Sequence, residues 1–214
     1  MPDYKIGFDD PLPVTDKGAG QWCKTPQTWE TLVYKRAIQM AIALPAVPNL
    51  FFGKHSIEHF THYLNMTGYD LELKDMPELM EQSMVLSKVY AEELKIAREY
   101  CETLDSGEHQ ITSSKTESGY FQGERDLYYA IGGFQYWGKG LVIIEKTPDR
   151  CNYSLSFEFH IFDRYNWDTG KNVLGLLDDD FFGEFHRRCF AKEFNIYGVY
   201  KTNEKTPISW YTVK

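Results

Sequence analysis

In CNYSLSFEFHIFDRYNW, residues 151–167, the side chains Tyr153, Leu155, Phe157, Phe159 and Ile161 fall on one parity, and Ser154, Ser156, Glu158 and His160 on the other. Successive side chains of a strand point to opposite faces, so the pattern predicts a strand with one face in the core and one polar face. HQITSSKTES (109–118), DLYYAIGGFQYWGKGLVIIE (126–145) and ISWYTV (208–213) read as further strands. The Gly132-Gly133 pair predicts a bulge or close backbone approach inside a bent strand. Tyr and Phe lie mostly after residue 117, in keeping with a pleated, half-buried surface there.

Towards the N-terminus the period changes from two to about 3.6. Thr28 is placed to cap a helix over WETLVYKRAIQMAIAL (29–44), ended by Pro45 and Pro48, and Ser56 to cap IEHFTHYLNM (57–66), stopped at Gly68. A longer helix is expected from Pro77 to Leu104, closed by Ser106-Gly107. Beyond the long strand, Asp178-Asp179-Asp180 opens a helix over FFGEFHRRCFAKEF (181–194), its acidic start suiting the helix dipole. Residues 1–26, rich in proline and glycine, read as an extended arm. The expected fold class is α+β: the arm (1–26), a helical bundle (27–106), then an antiparallel β-rich half with one helix (107–214).

A net charge of −8 with no Lys/Arg stripe argues against a nucleic-acid partner, since phosphates need a basic face. A local basic pocket for one phosphate stays open. MPDYKIGFDDPLP lacks the basic and apolar regions of a Sec signal, and Ala37–Phe52 is interrupted by proline and too short to span a bilayer. The expectation is a soluble protein, with export, if any, by another device. The four cysteines, Cys23, Cys101, Cys151 and Cys189, have no C-x-x-C spacing; they form either disulfides outside the cytoplasm or buried free thiols.

Three constellations could carry chemistry. Asp163, Tyr165 and Asp168 lie where the alternating strand gives way to Thr169-Gly170-Lys171, and the two carboxylates could share a hard cation across the turn or merely shape it. His186 and Arg187, with Arg188 and Glu184, pair an imidazole with guanidinium groups that can clamp phosphate oxygens; the plainer reading is an amphipathic helix. His55, Glu58, His59 and His62 in HSIEHFTH match an inverted zincin spacing, the basis of a zinc metallopeptidase reading. A non-enzymatic alternative is a carbohydrate- or partner-binding module stacking sugars on Tyr136, Trp137, Trp167 and Trp210.

DRYN (163–166) and FHRR (185–188) resemble the catalytic signature of colicin M and related bacteriocins, an Asp-x-Tyr-Asp segment at a strand end followed by His-Arg. DLYYAIGGFQYWGKG is similar to the strand pair before that signature. The match spans about residues 120–190. Asn166 stands where the family has its second acidic residue, and the gap to His-Arg is longer. The resemblance implies an antibacterial toxin with an open, barrel-like catalytic half. Such a toxin hydrolyses lipid II, or a related undecaprenyl-pyrophosphate-linked precursor, with magnesium (Mg2+) at the periplasmic membrane surface and blocks peptidoglycan synthesis. Asp163, with Asp168, would hold the ion; Arg187 would neutralise phosphoryl charge; His186 would move the proton; Tyr165 would orient water or phosphate. An immunity protein and a secretion-system carrier are the implied partners.

Overall fold

The structure, a computed structural model, describes residues 3–44, 53–167, 172–173, 177–202 and 206–213. Along the chain come β1 (Tyr4–Ile6), α1 (Trp29–Ile42), α2 (Lys54–Leu64), β2 (Leu71–Leu73), α3 (Met76–Gln82) and α4 (Met84–Glu102). Then follow β3 (Gly107–Ser113), β4 (Glu117–Tyr120), α5 (Arg125–Ala130), β5 (Gly133–Lys146) and β6 (Arg150–Tyr165). The chain ends with β7 (Asn172–Val173), β8 (Leu177–Asp178), α6 (Asp179–Arg187), β9 (Phe194–Lys201) and β10 (Ile208–Val213).

The α+β class holds, around an open, mostly antiparallel sheet of eight strands. The long strands β5 and β6 pair along most of their length, and each has its other edge filled by two short strands. β3 and β4 share the free edge of β5; β9 and β10 share that of β6. β1 joins β3, and β2 pairs with β9 in parallel. The expected split into a helical bundle followed by a sheet does not hold, because two strands of this sheet come from the N-terminal half. The helices form no core of their own: Leu79, Leu86 and Ala97 share one apolar cluster with Val142, Leu155 and Phe159.

The alternation of residues 151–161 is realised. Leu155 and Phe159 are fully buried and Phe157 nearly so, whereas Ser154, Ser156, Glu158 and His160 are half-buried on the outer face. Removing each such Phe from water is worth about 2–3 kcal/mol, and this face anchors the helices to the sheet. Opposite it, Gly138 lets the elements close up, since a Cβ there would collide with the Phe157 ring and the Tyr4 hydroxyl.

Four local expectations are corrected. The helix expected over 77–104 is two, α3 and α4, broken at Ser83. Ser83 is extended, its hydroxyl oxygen accepts the Leu86 N–H at 3.0 Å, and Glu124 accepts the Val85 N–H at 2.9 Å. With its first N–H groups satisfied, a second helix start costs little. Residues 125–130 form α5 rather than strand, and Gly132, at φ +74°, closes that helix as a left-handed cap instead of making a bulge. α6 stops at Arg187, and residues 194–201 are β9, because Phe194 and Ile196 alternate into the core. The helix expected to follow Ser56 begins at Lys54, where Asp126 accepts the N–H groups of His55 (3.0 Å) and Ser56 (2.8 Å).

The arm is a strap. After β1, Asp10 accepts hydrogen bonds from Trp137 Nε1 (2.9 Å) and Lys139 Nζ (3.1 Å) on the outer face. The Gln135 amide accepts from Val14 N–H at 2.9 Å and donates to Val14 C=O at 2.7 Å. Further on, Cys23 N–H donates to His186 C=O (3.3 Å) and Thr25 N–H to Arg187 C=O (2.9 Å), so the arm satisfies carbonyls that the end of α6 leaves open. A disulfide, Cys23–Cys189, fixes this crossing, while Cys101 and Cys151 are buried free thiols.

Candidate functional site

Arg164 of DRYN and His186 of FHRR come together at one residue, Glu193. Its side chain is fully buried, between α6 and β9. Oε2 accepts from Arg164 Nη2 at 3.2 Å and lies 3.9 Å from His186 Nε2; Oε1 accepts from the backbone N–H of Ala19 at 2.7 Å and of Trp167 at 3.4 Å. Among the described residues two buried donors have no hydrogen-bond partner: Arg164 Nε, on the guanidinium that pairs with this carboxylate, and Trp167 Nε1, on the ring packed against Phe182. A buried N–H without an acceptor costs free energy, so these atoms mark a place where an anionic oxygen would be stabilised.

His186 is nine-tenths buried or more, and both ring nitrogens are engaged. Nδ1 accepts the Glu193 N–H at 3.2 Å and Nε2 donates to Gly20 C=O at 3.0 Å. Burial holds its pKa below the ordinary histidine value, against the pull of Glu193, so the ring is neutral with its one lone pair occupied. Arg187 is also committed: Nε donates to Glu184 (2.8 Å), Nη1 to Ala19 C=O (3.1 Å) and Nη2 to Asp180 C=O (3.1 Å). Arg188 donates to Glu184 and, at 2.6 Å, to Pro26 C=O. As arranged, both residues of the His-Arg piece fasten the arm.

Asp163 and Tyr165 project, by strand alternation, from the face of β6 opposite to Arg164. Asp163 is half-buried and pairs in register with Ile196 of β9. Tyr165 is buried, stacked on Phe194 at 5.1 Å and tilted against Tyr63 at 5.9 Å. Burial, then the charge of Asp163, pushes its phenol far above the ordinary value, so it stays protonated. Asp168, expected to share magnesium with Asp163, lies outside the described residues. Among the described residues no three His, Cys, Asp or Glu side chains gather to hold a metal. Asp163 is thus the one member of the expected magnesium pair that the described residues supply.

The helical histidines are tied up in the fold. His55 sits between two carboxylates, Nδ1 at 2.9 Å from Asp126 Oδ2 and Nε2 at 2.9 Å from Asp75 Oδ2. Those partners raise its pKa above the ordinary value, Asp126 first, and His55 in turn holds Asp126 far below the usual carboxylate range. His59 donates from Nδ1 to Ala130 C=O at 2.8 Å, and His62 Nε2 lies 2.8 Å from Tyr69 C=O. Glu58 is exposed. A zinc site would have to break these bonds.

Nor are the tryptophans of the binding-module reading open. Tyr136 and Trp137 are buried; Trp167 packs at 4.5 Å on Phe182; Trp210 is stacked on Tyr153 at 4.8 Å and covered by the Arg98 guanidinium.

Sequence reasoning missed Glu193 and Arg164. A single Glu between helix and strand carries no spacing signal, and Arg164 reads as a solvated partner until its pairing with the buried Glu193 is seen. No helix of the described residues is long and apolar enough to cross a membrane. The chain matches no protein-family model, no curated protein and no solved structure.

Proposed function

We propose that the chain is an exported antibacterial effector of the colicin M type, hydrolysing a polyprenyl-pyrophosphate linkage such as that of lipid II. What supports it is that Arg164 of DRYN and His186 of FHRR meet at Glu193, with Arg164 Nε buried and unpartnered among the described residues, although Asp163 and Tyr165 stand on the opposite face of β6. Segments far apart in sequence have no reason to share one polar cluster unless packing or chemistry needs it, and unpartnered donors beside arginines suit phosphoryl oxygens. In this reading Arg164 and Arg187 offset charge developing on the phosphoryl group. His186 moves a proton once the arm gives up its contacts, and Asp163 supplies a carboxylate from the strand end. Magnesium enters as an added ion.

The disulfide supports work in an oxidising compartment, as the periplasm of a target cell is. A secretion-system carrier and an immunity protein would accompany such an effector.

The test is incubation of the purified, oxidised chain with lipid II, with magnesium or with a chelator, following release of the pyrophosphate-linked sugar. Release in magnesium, lowered at least about a hundredfold in Asp163→Asn, is the expected result. Absence of release in every condition overturns the reading.

A further inference from the structure

A cavity of about 410 Å³ lies on the outer face of the sheet beneath the arm. Its walls are Trp137, Phe162 and Tyr197 from the strands and Pro11, Leu12 and Pro13 from the arm. The volume falls in the range of small-ligand sites, and such sites combine apolar walls with a few placed polar groups.

Two acceptors along this cavity lack partners. Asn195 Oδ1 is buried and receives no hydrogen bond among the described residues. His160 lines the same cavity, stacked on Trp137 at 5.1 Å, and its Nε2 lies 3.2 Å from Glu158 Oε2. That carboxylate fixes the proton on Nε2 and leaves Nδ1 as an acceptor, to which no described residue donates. Burial holds the imidazole below its ordinary pKa, so the lone pair persists at neutral pH. The one charged residue of the lining, Asp10, is already neutralised by Lys139 at 3.0 Å.

We infer that this cavity binds a neutral pyranose: a hydroxyl-rich ring that donates to Asn195 Oδ1 and His160 Nδ1 while its C–H face lies on the exposed Tyr197 ring. A phosphate or carboxylate would meet two acceptors and a carboxylate, and a purely apolar ligand would leave the acceptors unpaired. The inference stands on this cavity and not on the hydrolase reading. Arg164 is the register partner of Asn195, so the pocket adjoins the Glu193 cluster along the same strands.

Saturation-transfer NMR with N-acetylglucosamine, methyl glucoside and the acyclic polyol sorbitol tests it without any turnover. The expected result is transfer to ring protons of at least one pyranose and none to sorbitol, with affinity at least tenfold weaker in Asn195→Ala and in His160→Phe. The Phe keeps the stack on Trp137 and deletes the acceptor together with the Nε2 contact to Glu158, and near-ultraviolet circular dichroism of both variants checks that the aromatic packing is intact. No transfer from either pyranose, equal transfer to sorbitol, or affinity unchanged in two folded variants would each overturn the assignment.

Discussion

Glu193 Oε1 takes the backbone N–H of Ala19 at 2.7 Å although 174 residues separate the two, so a carboxylate with no solvent exposure holds the arm to the body of the protein. The same carboxylate carries the Arg164 ion pair. Removing it strands a part-exposed guanidinium and two backbone donors at once.

Glu193→Ala is therefore expected to cost about 2–4 kcal/mol, the scale of breaking a buried pair from one side. Glu193→Gln keeps an acceptor and should cost less. Urea unfolding gives the magnitude, and limited proteolysis gives the place: cleavage within residues 16–26 should accelerate in the Ala variant before any other site. Unchanged protection of that stretch would mean the arm is held without Glu193.

The disulfide is a second, covalent hold on the same stretch, closing a loop across a sequence separation of 166. Its effect on the unfolded chain corresponds to about 5 kcal/mol in the chain-entropy model. For a chain of this size, reduction, or Cys23→Ser, is expected to lower Tm by about 10–20 °C. Both cysteines sit at positive φ, 59° and 63°, a conformation non-glycine residues adopt only where something holds them. Scanning calorimetry with and without reductant measures the drop, and a Tm that ignores reductant would show that the crossing is held by its hydrogen bonds alone.

Stability should also depend on pH through His55. Asp126 and Asp75 raise its pKa, so its contribution is fully present below about 6.5, the unfolded value, and is lost as pH rises through the raised folded value. Asp126 and Asp75, depressed by the same contacts, contribute above about 4 and lose that contribution as pH falls through their lowered values. The bridge is thus strongest between about pH 4 and 6.5. His59, His160 and His186, all held low by burial, act in the opposite sense, losing stability when acid protonates them. The difference between the native chain and His55→Ala isolates the bridge. Urea midpoints should differ most near pH 5.5, and the gap should narrow as pH rises through the raised His55 value; a gap that widens with pH would reverse the assignment.

What the sequence disclosed follows from where the forces are local. The strand at 151–165 was legible because a half-buried strand writes burial on every second residue, and Tyr153 to Ile161 obey that parity. The break at Ser83 was not legible, because Ser is tolerated in a helix and Glu124, which receives Val85 N–H, is distant in sequence. The helix expected over 181–194 runs past its real end at Arg187, because the ladder with β6 that begins at Phe194 is a long-range pairing that leaves no local mark. Asp163, Tyr165, His186 and Arg187 stood out by residue type, whereas the commitment of His186 and Arg187 to the arm could not. Their acceptors are carbonyls of Ala19 and Gly20, and backbone carbonyls leave no mark on composition.

That commitment shapes the test of the site itself. His186→Ala removes a ring that fastens the arm as well as one that would move a proton, so a loss of turnover from it is ambiguous unless arm release is measured alongside. Arg187→Ala has the same defect. Asp163 lies on the face of β6 opposite to the Glu193 cluster, and Asp163→Asn keeps nearly the same shape and removes the charge. On lipid II with magnesium, Asp163→Asn is expected to lose about two to four orders of magnitude in turnover, the scale of deleting an electrostatic stabiliser. Glu193→Gln, which loosens the arm while leaving Asp163, His186 and Arg187 in place, should retain turnover within about tenfold. His55→Ala and His59→Ala should retain it wherever they stay folded, since their nitrogens serve the α2–α5 junction. Native turnover in Asp163→Asn, with His186→Ala no worse than Glu193→Gln, would place the chemistry away from this strand end and leave the Glu193 cluster as the clasp of the arm.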